Sequence, residues 1–228
     1  MSDLQTALRI HLSINKLGVW LMWAILGGIL VINMALFAIF TPEHPSSNSA
    51  LIALPCYFVV VASIAAARAL PLALTLGLTR VRFYLASLLW AVLVGVVWAV
   101  AAAALARLEI ATDGWGVHLE FFRPWGAAAG SALETFAIVL VALLVAFVTG
   151  WCFGIVHSRW GVTGLLLALG LVLVVIVAVI VLAAAPHVLP ELSRTLSELT
   201  VTGAVILSAV LAVLLAVLGY FLTRRTAV

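Results

Sequence analysis

Residues able to do chemistry are few in this chain, and they do not form a common catalytic motif. The sequence contains no Gly-x-x-x-x-Gly-Lys-Ser/Thr loop for ATP phosphates, no His-Glu-x-x-His, no Cys-x-x-Cys and no Gly-x-Ser-x-Gly. An intramembrane protease would need a histidine deep in an apolar run. The five histidines instead fall at run ends or between runs: His11, His44, His118, His157 and His187. We therefore expect no enzymatic activity, no metal and no cofactor in this chain.

Two polar residues are candidates for a polar pathway through the apolar runs. An ionised carboxylate at membrane depth costs about 2.5–3.5 kcal/mol or more, so it is usually kept for a function. Glu134 lies near the start of one run, where it either contributes to such a pathway or reaches the surface and caps a helix. Asn33 lies in the middle of another, as an interhelical hydrogen-bond partner or a substrate ligand. This scarcity of buried acids disfavours an ion-coupled carrier.

Residues 68–82 interrupt the apolar pattern and carry three arginines, Arg68, Arg80 and Arg82. Pro71 can begin a short helix, because its missing N–H would be unpaired in a first turn anyway, and Gly77 suits the position just after its end. The apolar residues that share one helical face are Leu72, Ala73 and Leu76. The pattern predicts a short helix at the membrane surface that docks into a soluble partner. An ordinary loop whose arginines only fix topology is the alternative.

The composition places the chain in a lipid bilayer. Of 228 residues, 67% are hydrophobic and 8% are charged, and the mean hydropathy is +1.36. The formal net charge of +3 is too small to indicate nucleic-acid binding. The two cysteines, Cys56 and Cys152, lie in apolar runs and form neither a disulfide framework nor a metal-binding pattern.

The apolar pattern predicts an all-α polytopic membrane protein with a single transmembrane domain over residues 17–228. Residues 1–16 are expected to form an amphipathic interfacial helix, in which Ser2 and Gln5 fit a capping box. Six apolar runs follow, each long enough for the roughly 20 residues that a bilayer core requires. They lie near 17–40, 51–70, 83–106, 133–156, 162–185 and 201–222.

The distribution of charge predicts that both termini lie in the cytoplasm. With a cytoplasmic N-terminus, eight of the eleven basic residues lie inside: Arg9, Lys16, Arg68, Arg80, Arg82, Arg159, Arg224 and Arg225. Arg107, Arg123 and Arg194 remain outside, together with every acidic residue except Asp3. This arrangement satisfies the positive-inside rule.

Two of the expected outer segments carry their own patterns. Residues 107–132 contain Trp115, Phe121, Phe122 and Trp125, so we expect this segment to lie in the outer interface. Residues 186–199 place leucines at three- and four-residue steps, which predicts a short amphipathic helix on the outer leaflet.

Two short segments resemble the cytoplasmic loops of bacterial ABC-2-type transporter permeases. Residues 70–84 read Leu-Pro-Leu-Ala-Leu-Thr-Leu-Gly-Leu-Thr-Arg-Val-Arg-Phe-Tyr, similar to the family's segment between the second and third spans. Residues 157–161, His-Ser-Arg-Trp-Gly, are similar to its second cytoplasmic turn. The six-span layout agrees with the family over the whole chain, but the long outer segment 107–132 has no assigned family role.

The resemblance implies a multi-pass subunit of the bacterial cytoplasmic membrane that forms a substrate passage, most simply for export. Its partners would be a separate ABC ATPase, which binds the ATP, and a second permease subunit, identical or different. Residues 1–16, with Arg9 and Lys16, would match the family's connecting helix, and His157, Arg159 and Trp160 its second cytoplasmic loop. The ATPase-docking coupling helix would include Pro71, Leu72, Thr75, Leu76, Gly77, Thr79, Arg80 and Arg82.

A different class of function also fits the sequence. The chain could be a non-catalytic membrane interaction protein, such as an immunity or assembly subunit. This hypothesis predicts that charge reversal at Arg80 and Arg82 leaves function intact, whereas the permease hypothesis predicts impaired coupling.

Overall fold

The computed structural model describes residues 3–40, 46–47, 50–123, 131–184 and 200–225, and most of these are helical. The predicted outer helix at 186–199, Trp125 and Ser2 of the predicted capping box lie outside the described residues. The helices are α1 (Asp3–Phe40), α2 (Ala53–Ile64), α3 (Leu70–Thr75), α4 (Arg80–Ala111), α5 (Ala132–Ala184) and α6 (Val201–Arg225). A 3-10 turn (Ala50–Ile52) precedes α2, and two short strands, β1 (Ser46–Ser47) and β2 (Leu119–Glu120), pair in parallel.

Five helical stretches in the described part of the chain are long and apolar enough to cross a bilayer, as expected for an all-α polytopic membrane protein. Each overlaps predicted runs, although the boundaries differ by several residues. In α4, for example, the helix continues to Ala111 instead of ending near residue 106. The five stretches are Trp20–Phe40, Ala53–Thr75, Arg80–Ala111, Ala132–Val174 and Val201–Arg224.

Helix α5 covers two of the predicted runs and is broken between them at Gly161. This residue has φ 65° and ψ −158°, a backbone conformation that glycine adopts without steric penalty. In a straight helix, residues 156 and 164 would be separated by about 12 Å. A Cβ atom on Gly164 would instead lie 3.6 Å from Cγ1 of Val156. The chain therefore folds back at Gly161, and α5 consists of two arms, residues 132–160 and 162–184.

Helix α1 is continuous through the boundary predicted between an interfacial helix and the first span. It runs from Asp3 to Phe40 without a break near residue 17. No proline occurs in this range, so every residue after the first turn can donate its backbone hydrogen bond. Its 38 residues correspond to about 57 Å at 1.5 Å per residue, longer than a bilayer core of roughly 30 Å.

The predicted short helix at Pro71 is present, but it is the continuation of α2 and not a separate surface helix. A π-helical segment (Ala65–Ala69) joins α2 to α3, and the Leu70 N–H donates to the Ala65 carbonyl five residues back. A proline inside a helix lacks an N–H and its ring crowds the carbonyl four residues earlier. A wider π turn just before Pro71 is a common accommodation of such a disturbance.

Aromatic side chains from α2, α4 and α5 fill the centre of the bundle. Phe58 lies 5.3 Å from Trp98 and 6.1 Å from Trp90, measured between ring centroids. Phe147 continues the column, 6.2 Å from Trp90 and 6.3 Å from Trp151. These rings are almost completely buried, so the described bundle has a packed aromatic interior.

Helices α2 and α5 approach each other closely at two glycines. A Cβ atom on Gly150 would collide with the backbone of Val59, and one on Gly154 would collide with the backbone of Ser63. The Ser63 hydroxyl donates to the Gly150 carbonyl at 2.9 Å. Small residues allow such backbone contact where lipid provides no hydrophobic driving force between helices. The first arm of α5 and α2 therefore form one tightly packed pair.

Candidate functional site

The described charged side chains are separated between the two ends of the bundle. Arginines occupy the end at which α3 meets α4 and the two arms of α5 meet, which we call the basic end: Arg68, Arg80, Arg82, Arg159 and Arg224. Hydrogen bonds from Tyr84 to the Ala216 carbonyl (2.7 Å) and from Trp151 to Thr223 (2.9 Å) bring these helix ends together. The opposite, acidic end carries Arg107 and Arg123 together with four carboxylates: Glu109, Asp113, Glu120 and Glu134.

A tight turn connects α3 to α4 at the basic end. The Gly77 N–H donates to the Leu74 carbonyl at 3.0 Å, and the Leu78 N–H donates to the Ala73 carbonyl at 3.1 Å. With Gly77 at φ 82°, these bonds form a Schellman motif in which the buried Leu78 packs toward the helix end. Thr79 then caps α4, because its hydroxyl accepts the Arg82 N–H at 3.3 Å. Only residues 76–79 separate the two helices.

The turn presents apolar and basic side chains away from the bundle. Leu72 is 52% exposed and Leu76 is 61% exposed, whereas Ala73 between them is buried. Arg68, Thr79 and Arg82 are also exposed. The surface formed by residues 68–82, which we call the docking segment, thus combines two protruding leucines with a basic rim.

The structure brings the second predicted loop beside the docking segment. Arg68 and His157 line one cavity of ≈ 350 Å³, whose other walls include Ser63 and, from the second arm of α5, Leu165. The buried His157 Nδ1 has no hydrogen-bond partner among the described residues. Both predicted segments therefore belong to one surface at the basic end.

Arg159 and Trp160 extend this surface at the fold-back of α5. Both are exposed, and the Arg159 guanidinium carbon lies 5.3 Å from the centroid of the Trp160 ring. A cation held over an indole in this way is stabilised by the ring quadrupole, and the pair keeps both a charge and an aromatic face at the surface.

The remaining predicted residues lie elsewhere. Arg9 and Lys16 belong to the first half of α1, and Asn33 lies in its second half, where the Asn33 amide donates to the Ile29 carbonyl at 2.8 Å. Glu134 lies in the first turn of α5, where its N–H donates to the Ser131 hydroxyl at 3.2 Å. The side chain that caps this helix start is that of Ser131.

The acidic end contains a buried carboxylate that the sequence interpretation did not single out. Glu109 is 1% exposed. Its Oε2 accepts three hydrogen bonds: from the Trp115 indole at 3.1 Å, from the Phe121 N–H at 2.9 Å and from the Phe122 N–H at 2.8 Å. Carboxylate oxygens that accept several N–H donors are strong local organisers, because each such bond is charge-assisted. Glu109 thus closes residues 109–122 into a loop.

Irregular backbone accompanies this closure. Asp113, Trp115 and His118 all have positive φ, between 50° and 63°, which is uncommon outside glycine. The loop ends in β2, which pairs with β1 and so joins the two segments that precede α2 and follow α4. Phe121 and Phe122 are buried behind it, with ring centroids 5.0 Å apart.

A cavity of ≈ 300 Å³ opens beside this loop. We call it the carboxylate cup. Its polar lining comprises Glu109, Asp113, His118, Glu120 and Arg123. Arg123 pairs with Glu120 at 2.9 Å, and Nδ1 of His118 lies 3.1 Å from a carboxylate oxygen of Asp113.

One sequence signal does point to Glu109, although it is weak. Helical register extended past residue 106 places Glu109 in line with Ala99, Ala102 and Ala106, all of which are buried. A carboxylate that continues a buried stripe needs donors nearby, and the aromatic residues of 115–122 are the nearest candidates. The prediction ended the helix too early to reveal this.

The fold is that of a polytopic α-helical membrane protein with chemically distinct ends. No protein-family model, curated protein or solved structure matches the chain.

Proposed function

We propose that this chain is the membrane permease subunit of a bacterial ABC transporter of the ABC-2 type, an exporter powered by a separate ATPase. The observation that carries the proposal is the docking segment. It is a capped helical turn that carries the exposed Leu72 and Leu76 within a basic rim. Two leucines on a rigid turn match the apolar groove of a soluble partner, and the arginines add charge complementarity.

The proposed topology has six spans with both termini in the cytoplasm. The fold-back at Gly161 supports six, because its two arms of α5 each exceed the roughly 20 residues needed to cross a bilayer. The concentration of arginine at the basic end supports a cytoplasmic location for that end by the positive-inside rule. The docking segment and the Arg159–Trp160 turn then face the same compartment as the ATPase.

A second permease subunit is part of the proposal. Trp90, Trp98 and Trp151 fill the interior of the described bundle, so a passage inside one subunit would have to displace packed aromatic rings. A passage between two subunits requires no such rearrangement. The apolar character of the helices favours a lipophilic cargo, since a highly charged solute would find few polar partners along the described spans.

The continuity of α2 with α3 gives a route for coupling. A displacement of the docking segment moves α2 directly, with no flexible loop between them. The backbone contacts of Gly150 and Gly154 then transmit the displacement to the first arm of α5. ATP binding to the partner would shift this packed pair between two arrangements of the bundle.

The decisive experiment is purification of the tagged chain from native membranes. We expect a Walker-type ATPase to co-purify, with ATP hydrolysis that depends on the presence of both proteins. The double variant Arg80→Glu/Arg82→Glu should lose most of the stimulated hydrolysis. Arg107→Glu, an exposed charge reversal at the acidic end, should retain it.

Two outcomes would reject the proposal. One is that no nucleotide-binding protein is recovered with the chain under mild solubilisation. The other is that the double variant keeps both partner binding and cellular function, as the alternative of a non-catalytic interaction, immunity or assembly subunit requires.

A further inference from the structure

The carboxylate cup contains a buried acceptor that the loop around it does not use. Glu109 lines the cup and is 1% exposed. Its Oε2 is occupied by the indole of Trp115 and two backbone N–H groups. Its Oε1 is buried and has no hydrogen-bond partner among the described residues. Oε1 is therefore the oxygen of this carboxylate that remains for a further donor.

A buried carboxylate oxygen normally accepts at least one hydrogen bond. Leaving a buried charged acceptor unpaired costs its desolvation, so native structures usually supply a water, an ion or a ligand group. The three donors on Oε2 fix the orientation of the carboxylate in advance. The carboxylate is thus already oriented, but Oε1 has almost no accessible surface, so an incoming group has to displace the atoms that cover it.

The lining of the cup determines the sign of the charge it prefers. The cup is lined by three carboxylates, those of Glu109, Asp113 and Glu120, and by one guanidinium, that of Arg123. With His118 counted as neutral, the lining carries two formal negative charges. Arg123 is held by Glu120 at 2.9 Å. The field inside the cup therefore attracts cations.

The geometry also distinguishes between kinds of cation. A guanidinium binds best to both oxygens of a carboxylate, but Oε2 of Glu109 is already occupied three times. A metal ion prefers several anionic ligands, and no group of three or more His, Cys, Asp or Glu side chains among the described residues is placed to hold one. A primary ammonium needs only one strong acceptor on each N–H, and Oε1 supplies one. Ile110 and Leu119 provide apolar wall for a short alkyl chain.

We propose that the carboxylate cup binds the primary ammonium group of a small alkylamine, with Glu109 Oε1 as its principal acceptor. The volume of ≈ 300 Å³ lies at the small end of the range for ligand pockets, which suits a short amine. This site does not depend on the proposed permease function, because every contact that forms it lies at the acidic end.

Binding can be measured on the full-length chain in detergent micelles, with n-butylamine as the probe at neutral pH. Trp115 reports on the site, since its indole donates to the same carboxylate, and the Trp115→Phe variant gives the background from the other indoles. We expect saturable binding of butylammonium. Butan-1-ol, which has no charge, and tetramethylammonium, which has no N–H, should bind at least about tenfold more weakly.

The matched variants are Glu109→Gln and Glu134→Gln. The glutamine carbonyl at position 109 can still accept the three N–H donors, while its NH₂ group replaces the free oxygen with a donor that repels an ammonium. We expect about a tenfold or greater loss of butylammonium affinity in Glu109→Gln. Glu134→Gln, an acid at the same end that does not line the cup, should bind like the unmodified chain.

The ligand series on the unmodified chain keeps the proposal testable if Glu109→Gln does not fold. Tetramethylammonium binding as tightly as butylammonium would overturn the proposal, because charge alone would then explain the binding. So would unchanged affinity in a folded Glu109→Gln, absence of saturable amine binding, or Ca²⁺ as the only cation that binds. None of these outcomes affects the co-purification test of the permease proposal.

Discussion

The basic end and the acidic end are built by different kinds of contact. At the basic end, regular helices stop and start within four residues, and local backbone capping at Gly77 and Thr79 defines the surface. At the acidic end, one buried side chain, that of Glu109, gathers donors 6 to 13 residues further along the chain. The basic end exposes most of its charged side chains, whereas the acidic end buries the carboxylate of Glu109. In the two proposals above, the first end is a surface for a macromolecular partner and the second is a site for a small ligand.

Accessibility from the two sides of the membrane gives the sharpest test of this comparison. In a Cys56→Ala/Cys152→Ala background, Leu76→Cys should react with a membrane-impermeant maleimide only after permeabilisation. Asp113→Cys should react in intact cells, because the proposed topology places the acidic end outside. The expected difference is all or none. Labelling of both positions from the same side would contradict the separation of the two ends across the bilayer.

Removal of the organising carboxylate should have the largest effect on stability. Glu109→Ala leaves the Trp115 indole and two buried N–H groups without an acceptor, and we expect a loss of about 3–5 kcal/mol. Thermal unfolding in detergent, followed by fluorescence, would reveal it as a large fall in Tm. Glu134→Ala is the control and should cost less than about 1 kcal/mol. Equal effects of the two substitutions would show that Glu109 does not organise the acidic end.

The glycine contact between α2 and the first arm of α5 should be the next most sensitive. Gly150→Val places side-chain atoms where the Val59 backbone lies, so α2 and α5 must separate, at an expected cost of about 1–3 kcal/mol. Gly28→Val is the matched control, because a Cβ atom there meets nothing within 4 Å. Its Tm should change little. If Gly150→Val is tolerated equally well, the two helices are not packed backbone to backbone.

A single hydrogen bond at the basic end should contribute least. Tyr84→Phe removes the bond from the Tyr84 hydroxyl to the Ala216 carbonyl and keeps the ring packed against Trp151, 5.1 Å away. Hydrogen bonds between membrane helices contribute about 0.5–1 kcal/mol on average. The same unfolding assay should show a small decrease in Tm, well below that of Gly150→Val. A decrease as large as that of Glu109→Ala would mean that this bond organises the basic end as strongly as Glu109 organises the other.

The basic end could be predicted from sequence because its determinants are local. Pro71 and Gly77 lie within seven residues, and each acts on its own backbone turn. The cap at Thr79 was not predicted. The prediction placed Pro71 correctly in the first turn of the short helix, but it missed the π turn that makes this helix continuous with α2. The break at Gly161 was likewise marked by the end of one apolar run and the start of the next.

The acidic end was only partly predictable because its determinants are separated along the chain. The outer position of Trp115, Phe121 and Phe122 was expected, but not their relation to Glu109. Hydropathy ends a helix where polar residues begin, and so it excluded Glu109 from α4. Only the three-dimensional path of residues 112–122 brings those donors onto one oxygen.

The contact between Ser63 and Gly150 has a consequence for how the protein is made. These residues are 87 positions apart, so α2 leaves the ribosome on the order of 10 s before its glycine partner is synthesised. During that interval the Ser63 hydroxyl still has a hydrogen-bond acceptor, because it also donates to the Val59 carbonyl of its own helix at 2.8 Å. In the nascent chain, α2 thus supplies the acceptor for this hydroxyl by itself until the first arm of α5 adds the Gly150 carbonyl as a second acceptor.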